Sequence, residues 1–363
     1  YEVADGSDFD NSTTASQING ASSSTNITIW PSTLITVLSN GTNITLQANN
    51  DITVNGAITA ANGSGDGGNL TMQAGRTIDI NANITTDNGD LILTANDTTA
   101  NGVVDAQRDS GNAEINLSGA TINTGTGTFT ATISAGADKT NSGTADITLN
   151  TVTAGALVMT NNGTTAGSDI LDSGVLTVSG TSSFTTAVSG GVITLDSANA
   201  LTGAVTLNTN SSSTSANATL DNGTTALNIG TSTIDGNLTL TAGDDITDSG
   251  VLTVGGTSSF TADVNDKLIT LDQNHALTGA ISITTTDNES GVNNDSDVTI
   301  TGMNSGLELK LGTLTIKGDL SITTSNTVGI SDEGALTIHG TSNFVTSANN
   351  ATITLDTSTN AFT

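Results

Sequence analysis

The chain has 363 residues with 35 acidic and 6 basic side chains, a formal net charge of −29, no cysteine and only 2% aromatic residues. With no basic stripe to neutralise phosphates, nucleic acid and anionic membrane surfaces are disfavoured as partners, and the lack of cysteine excludes disulfides, thiol chemistry and cysteine-ligated zinc. No apolar run approaches the roughly 18 residues of a membrane-spanning helix, while the 34% apolar residues fall in alternating runs unlike those of a disordered chain.

Residues 1–26, "YEVADGSDFDNSTTASQINGASSSTN", are polar and turn-rich, with Tyr1, Val3 and Phe9 clustered. They read as a linker, or as an arm that docks on the exposed β edge of a neighbouring chain. The sole tryptophan and proline, Trp30 and Pro31, follow.

A fine repeat then begins. "NITLQA" (43–48), "NLTMQA" (69–74) and "DLILTA" (90–95) recur at intervals of 26 and 21 residues, and the longer interval holds the turn-like insertion "GSGDGG" (63–68). "DITVNGAI" (51–58) and "TIDINANI" (77–84) recur in step. Alternation puts Ile44, Leu46 and Ala48 on one face, with Leu70, Met72, Ala74 and then Leu91, Leu93, Ala95 in equivalent places, while Thr45 and Gln47 point away. A strand of this kind buries one face only. Two or three such strands per coil, joined at Gly/Asn turns, enclose that face as a parallel β-helix with rungs of about 20 residues, about 18 rungs in all.

From residue 172 the repeat lengthens. "DSGVLTVSGTSSFT" (172–185) returns as "DSGVLTVGGTSSFT" (248–261) and "DEGALTIHGTSNFV" (332–345), spaced by 76 and 84 residues, with Phe184, Phe260 and Phe344 in equivalent places. Leu195-Asp196, Leu271-Asp272 and Leu355-Asp356 mark a second equivalence, and the polar "TTDNESGVNNDSD" (285–297) reads as a surface loop. Four rungs make one such unit. The expected organisation is therefore an arm (1–26), fine rungs (27–171) and long repeats (172–247, 248–331 and an incomplete 332–363). "NAFT" (360–363) aligns with "NALT" (199–202) and "HALT" (275–278), which places the end of the sequence inside a repeat. The competing fold is a string of Ig-like sandwiches; it accounts for the long period but not the short one, and asks for Trp, Tyr and Pro in each unit.

Residues 32–97, from "STLITVLSNGTNITLQANN" to "GDLILTAND", resemble the filamentous haemagglutinin family of large exported bacterial adhesins. The "GVLTVSGTSSFT…VITLDSANALTGAVTL" units resemble the β-strand repeats of related surface proteins, so the likeness covers roughly 27–363. It implies a right-handed β-helical rod on the cell surface or released from it, acting in attachment or cell–cell contact with surface glycans or proteins. With Pro31 the sole proline, the Asn-Pro-Asn motifs of that family's secretion domain are absent, which fits rod and not export signal. The alternatives are a subunit of a filament joined end to end, a stalk that displays a tip elsewhere, or a polysaccharide-active β-helix enzyme.

An enzyme needs clustered carboxylates beside a base or acid. The six basic residues, Arg76, Arg108, Lys139, Lys267, Lys310 and Lys317, are scattered singly. His275 stands where Asn199 stands, and His339 where Ser179 and Gly255 stand, an interchange expected of solvent-facing positions. No catalytic, cofactor-binding or metal residue is expected, beyond calcium loosely held by Asp244-Asp245 or by Asp172, Asp248 and Asp332. "GSGDGGN" (63–69) is a single near match to a calcium-roll loop. Turn aspartates bonding their own backbone explain these positions more simply. The three phenylalanines read as interior fillers. Triplets such as Asn43-Ile44-Thr45, Asn69-Leu70-Thr71 and Asn237-Leu238-Thr239 fit Asn-glycosylation, and equally fit alternation in an Asn/Thr-rich strand.

Overall fold

Alternating aliphatic and polar residues send one set of side chains inward and the other to solvent. In Leu70–Ala74 and Leu91–Ala95 the first, third and fifth side chains are buried and the two between them are not. The computed structural model describes residues 2–3, 27–98, 102–117, 119–135, 145–163, 165–209, 215–287, 296–303 and 306–362. In it such strands stack as a parallel β-solenoid of about 13 turns, each of about 23 residues. The pairings are parallel throughout the described residues, which excludes the antiparallel sandwiches. Turns are fewer and longer than the 20-residue reading because corner insertions vary. Equivalent corners lie 20 residues apart at Asn217 and Asn237 but 38 apart at Asp90 and Thr128.

The chain divides into two compact units, Tyr1–Thr194 and Leu195–Thr363. In the first, each turn has one long and two short walls. The long wall stacks Ile44–Ala48, Leu70–Ala74, Leu91–Ala95, Thr128–Ile133, Ala156–Asn161 and Ser182–Thr186. One short wall stacks Ile52–Val54, Ile78–Ile80, Ile115–Asn116, Ile147–Leu149 and Ile170–Asp172. The other stacks Ile58–Thr59, Ile84–Thr85, Ile122–Asn123, Val152–Ala154 and Leu176–Val178. Registers place like on like: Ile52, Ile78, Ile115, Ile147 and Ile170 form one fully buried column. Each such side chain contributes about 1.5–3 kcal/mol through burial.

Two segments depart from the expected rungs. Pro31–Ser39 is an α-helix, with Pro31 at its first turn and Leu34 and Leu38 fully buried. It lies against Ile58–Thr59 and Ile44–Ala48. Within the expected arm, Glu2–Val3 is a strand of the chain's own sheet, paired with Thr28–Ile29 and with Ile52–Val54; Tyr1 and residues 4–26, Phe9 among them, lie outside the described residues.

In the second unit the walls exchange roles. One wall carries the long strands Ala218–Asp221, Leu238–Ala242, Ser258–Asn265 and Ile281–Thr286 in succession. Beyond Ile281–Thr286 it carries Leu309–Ile316, whose halves are followed by the pair Gly329–Asp332 and Leu336–Ile338. The other wall does the reverse. Its long strand Val205–Thr209 is followed by the short pair Leu227–Ile229 and Ser232–Ile234, and further short pairs follow. It returns to long strands at Val298–Met303, Leu320–Thr324 and Ser342–Thr346. Each exchange occurs where two long strands follow each other in the chain, at 205–221 and at 281–303. As a result Phe260 and Phe344, from equivalent phrases, belong to different walls.

Phe129, Phe184 and Phe260 are fully buried, as interior fillers should be. Phe344 is half-buried and meets Phe362 edge-on at 6.2 Å. The phrase Thr-Ser-Ser-Phe has a volume logic: Ser258, buried two residues before Phe260, pairs with Leu238 and with Ile281 in the adjoining turns. A small residue offsets the neighbouring ring in a lumen of fixed width.

Candidate functional site

Polar chemistry concentrates at the corners. Where the chain enters a long strand, an Asn or Asp stands just before the first aliphatic residue, and at Asn69, Asp90, Asn237 and Asp319 a glycine precedes it. The side chain of that Asn or Asp accepts the backbone N–H of its counterpart one turn later. Asn43 Oδ1 takes the Asn69 N–H at 2.8 Å, Asn69 Oδ1 the Asp90 N–H at 2.9 Å, and Asp90 Oδ1 the Thr128 N–H at 2.8 Å. In the second unit Asn217 serves Asn237 at 2.8 Å, Asn237 serves Thr257 at 2.9 Å, Asp297 serves Asp319 and Asp319 serves Thr341, both at 2.7 Å. The preceding glycine permits the close approach: a Cβ on Gly89 would sit 2.3 Å from the Gly68 carbonyl oxygen. Asn43, Asn69 and Asn237, the residues of the glycosylation-like triplets, are therefore rungs of an acceptor ladder.

A recess in the first unit is lined by Asp51, Arg76, Thr77, Asp79, Asn112 and Glu114. Arg76 grips Asp51 through Nε, at 2.7 Å, and through Nη2, and also donates to the Ser110 carbonyl at 3.3 Å. The hydrogen bond that Arg76 donates to Asp51 raises the Arg76 pKa, against the opposing effect of burial. Burial, together with the charges of Asp51 and Glu114, raises Asp79. The recess thus offers three carboxylates and one cation, and the cation is committed, with Asp51, to locking adjacent turns. Beside it, Asn49 and Asn50 hold the 102–114 insertion: Asn49 Oδ1 accepts the Val104 N–H at 2.8 Å and Asn50 Oδ1 the Asp109 N–H at 2.6 Å. Arg108 is buried and donates to Asn96.

The remaining basic residues stay scattered. Lys267 pairs with Asp244 at 2.8 Å, which lowers the carboxyl's pKa chiefly through that hydrogen bond. Lys310 pairs with Glu333 at 3.1 Å, Lys317 lies 3.3 Å from the exposed His339, and Lys139 is outside the described residues. Asp245 Oδ1 accepts the Leu268 N–H at 2.9 Å. Among the described residues no group of three or more His, Cys, Asp or Glu side chains is placed to hold a metal ion, and no helix is long and apolar enough to cross a membrane.

Two sequence expectations are corrected at the repeated aspartates. Asp248 does not cap its own turn. It reaches the next one, accepting the Asp272 N–H at 2.8 Å and the Gln273 N–H at 3.2 Å. Asp332 does the same for Asp356 at 3.0 Å and Thr357 at 3.2 Å; Asp172 is a largely buried member of the series. His275 is not solvent-facing. Its side chain is fully buried, Nδ1 accepts the Leu252 N–H at 3.0 Å, and Nε2 lies 3.5 Å from Asp248 Oδ2. Asn199 is also buried, so the Asn/His interchange does not mark an exposed site. The signal was present in the sequence: both residues precede the same Ala-Leu-Thr.

Three stretches, 136–208, 215–284 and 295–363, match a family of repeats described as "Repeats of unknown function (DUF5649)". The second and third matches each begin just before the second long strand of a wall exchange, Ala218–Asp221 or Val298–Met303. No curated protein and no solved structure matches the chain. With more than half of its length so matched, the chain belongs to this family of repeats.

Proposed function

We propose that the chain is a structural rod or stalk segment of a large cell-surface adhesin, working outside the cell in attachment or cell–cell contact. The observation that carries this reading is the solenoid itself: stacked parallel turns whose polar residues serve the join between one turn and the next, as the corner ladder does. Such a stack lengthens by adding turns, with no new core design. At about 4.8 Å per strand, each turn adds reach at little cost in sequence novelty. The role asks for no catalytic residue and no resident cofactor, with calcium at most loosely held. Its partners are glycans or proteins of a host or neighbouring cell, met by many weak contacts along the surface. Net charge −29 disfavours nucleic acid and anionic lipid. Against end-to-end filament growth stands the helix Pro31–Ser39, which lies over the first turn's strands.

Two measurements test the proposal. Negative-stain images of the purified chain should show narrow rods; a row of separate beads overturns the stalk. Beads coated with the chain should then adhere to glycan- or protein-bearing cell surfaces more than uncoated beads do. Equal adhesion by both overturns the contact role while leaving the rod intact.

A further inference from the structure

The His275 corner differs from its sisters in one respect. At the corresponding corner of the last repeat, Asn360 Oδ1 accepts the Leu336 N–H at 2.9 Å and its Nδ2 donates to Asp332 Oδ2 at 2.6 Å. Leu201 is held in the same manner by Asn222 Oδ1 at 2.9 Å. These are amide contacts, indifferent to mild acid. His275 makes the equivalent bond with an imidazole, Nδ1 to the Leu252 N–H at 3.0 Å, and turns Nε2 toward Asp248 at 3.5 Å. An acceptor at Nδ1 fixes the neutral tautomer, with the ring proton on Nε2. Histidine is also the side chain whose charge ordinarily changes between about pH 5 and 8.

We propose that this corner is an acid-operated latch: neutral His275 holds the strand Leu252–Val254, and a charged His275 releases it. A second proton can enter the ring only at Nδ1, the atom that accepts the Leu252 N–H. Two donors then face each other across 3.0 Å in a site where the His275 and Asp248 side chains are wholly buried. The charged ring is drawn to Asp248, and the Leu252 N–H is left without its acceptor. Asp248 is the carboxylate facing the ring. Asp272, exposed on the same corner, donates its N–H to Asp248. The adjoining strands Ser232–Ile234, Leu252–Val254, Ala276–Leu277 and Val298–Met303 carry no titratable side chain. The sign follows: the corner's bond is present while the ring is neutral and is lost as pH falls.

Amide hydrogen exchange of the 363-residue chain, read as protection factors at pH 7.5 and pH 5.0, tests this. In the wild type, protection at Leu252 should fall about tenfold on acidification while that at Leu336 holds. His275→Asn, which installs the residue of the sister corners, should abolish the difference. Equal protection of Leu252 and Leu336 at both pH values in the wild type overturns the latch, as does an unchanged acid loss in His275→Asn. Should that variant not fold, ring-nitrogen NMR of the wild type decides: the Leu252 amide must shift as the His275 ring charges, and a ring that charges without moving it overturns the proposal.

Discussion

At the scale of single residues, the corner ladder ties sequence to register. Asn237 Oδ1 receives both the N–H and the hydroxyl of Thr257, at 2.9 and 3.1 Å. Asn237→Ala should lower unfolding free energy by about 1 kcal/mol. Asn237→Asp keeps the acceptor, as Asp319 does for Thr341, and should stay within about 0.5 kcal/mol of wild type; urea titration separates the two. Two aspartates make opposite pH predictions. Asp169 has its pKa raised, first by burial and then by Asp146, against the Val192 N–H bond. A raised carboxyl costs stability above its folded pKa, and that cost lifts as pH falls through it. Asp169→Asn, which still can accept from Val192, should therefore melt higher than wild type at pH 7, with the gap closing toward pH 4. At Asp332 burial opposes the charge, but donors from Asn360, Thr357 and Asp356 outweigh it and lower the pKa. Its contribution is present above the unfolded value near about 3.9 and vanishes as pH drops through the lowered folded one. Asp332→Asn should thus melt lower than wild type at pH 7.

At the scale of elements, the body of the 102–114 insertion is held by side chains, and ladder pairing resumes at Glu114, whose carbonyl accepts the Ile78 N–H at 2.9 Å. Replacing Asn49 and Asn50 together by Ala should free it, so that trypsin cuts after the otherwise buried Arg108 while far-UV circular dichroism keeps its β signal; unchanged resistance would show that other contacts suffice. The strands themselves were legible in the sequence, because Leu70-Thr71-Met72-Gln73-Ala74 alternates with the period of a one-sided strand. The helix was not. "STLITVLS" is rich in β-branched residues, and its helical signal is reduced to Pro31 at the start and the Leu34/Leu38 spacing. The buried histidine is hidden for a related reason: variation between copies does not mark exposure, because Asn and His can fill one acceptor role, as Asn360 and His275 do.

At the scale of the whole molecule, a solenoid's stability is close to a sum over turns and their joins. Leu238 pairs with Ser258 on one side and Ala218 on the other, so excising 238–257 removes one complete turn and lets Ser258 take the place of Leu238. That deletion should leave a soluble, cooperatively melting protein of lower stability. Excising 238–247 alone breaks register and should leave none. Neither repeat period in the sequence revealed the exchange of walls, since a period counts residues and says nothing of direction.

That exchange has a consequence for molecules lying side by side. The outward residues of the Phe260 phrase, Ser259 and Thr261, and those of the Phe344 phrase, Asn343 and Val345, look out along different azimuths of the second unit. A chain that repeats its words but turns between them presents no continuous stripe of identical text to a neighbour. Sliding one molecule past another by a single repeat does not restore the same lateral contact, and crystalline bundling of parallel copies loses the translational degeneracy that repetition would otherwise supply.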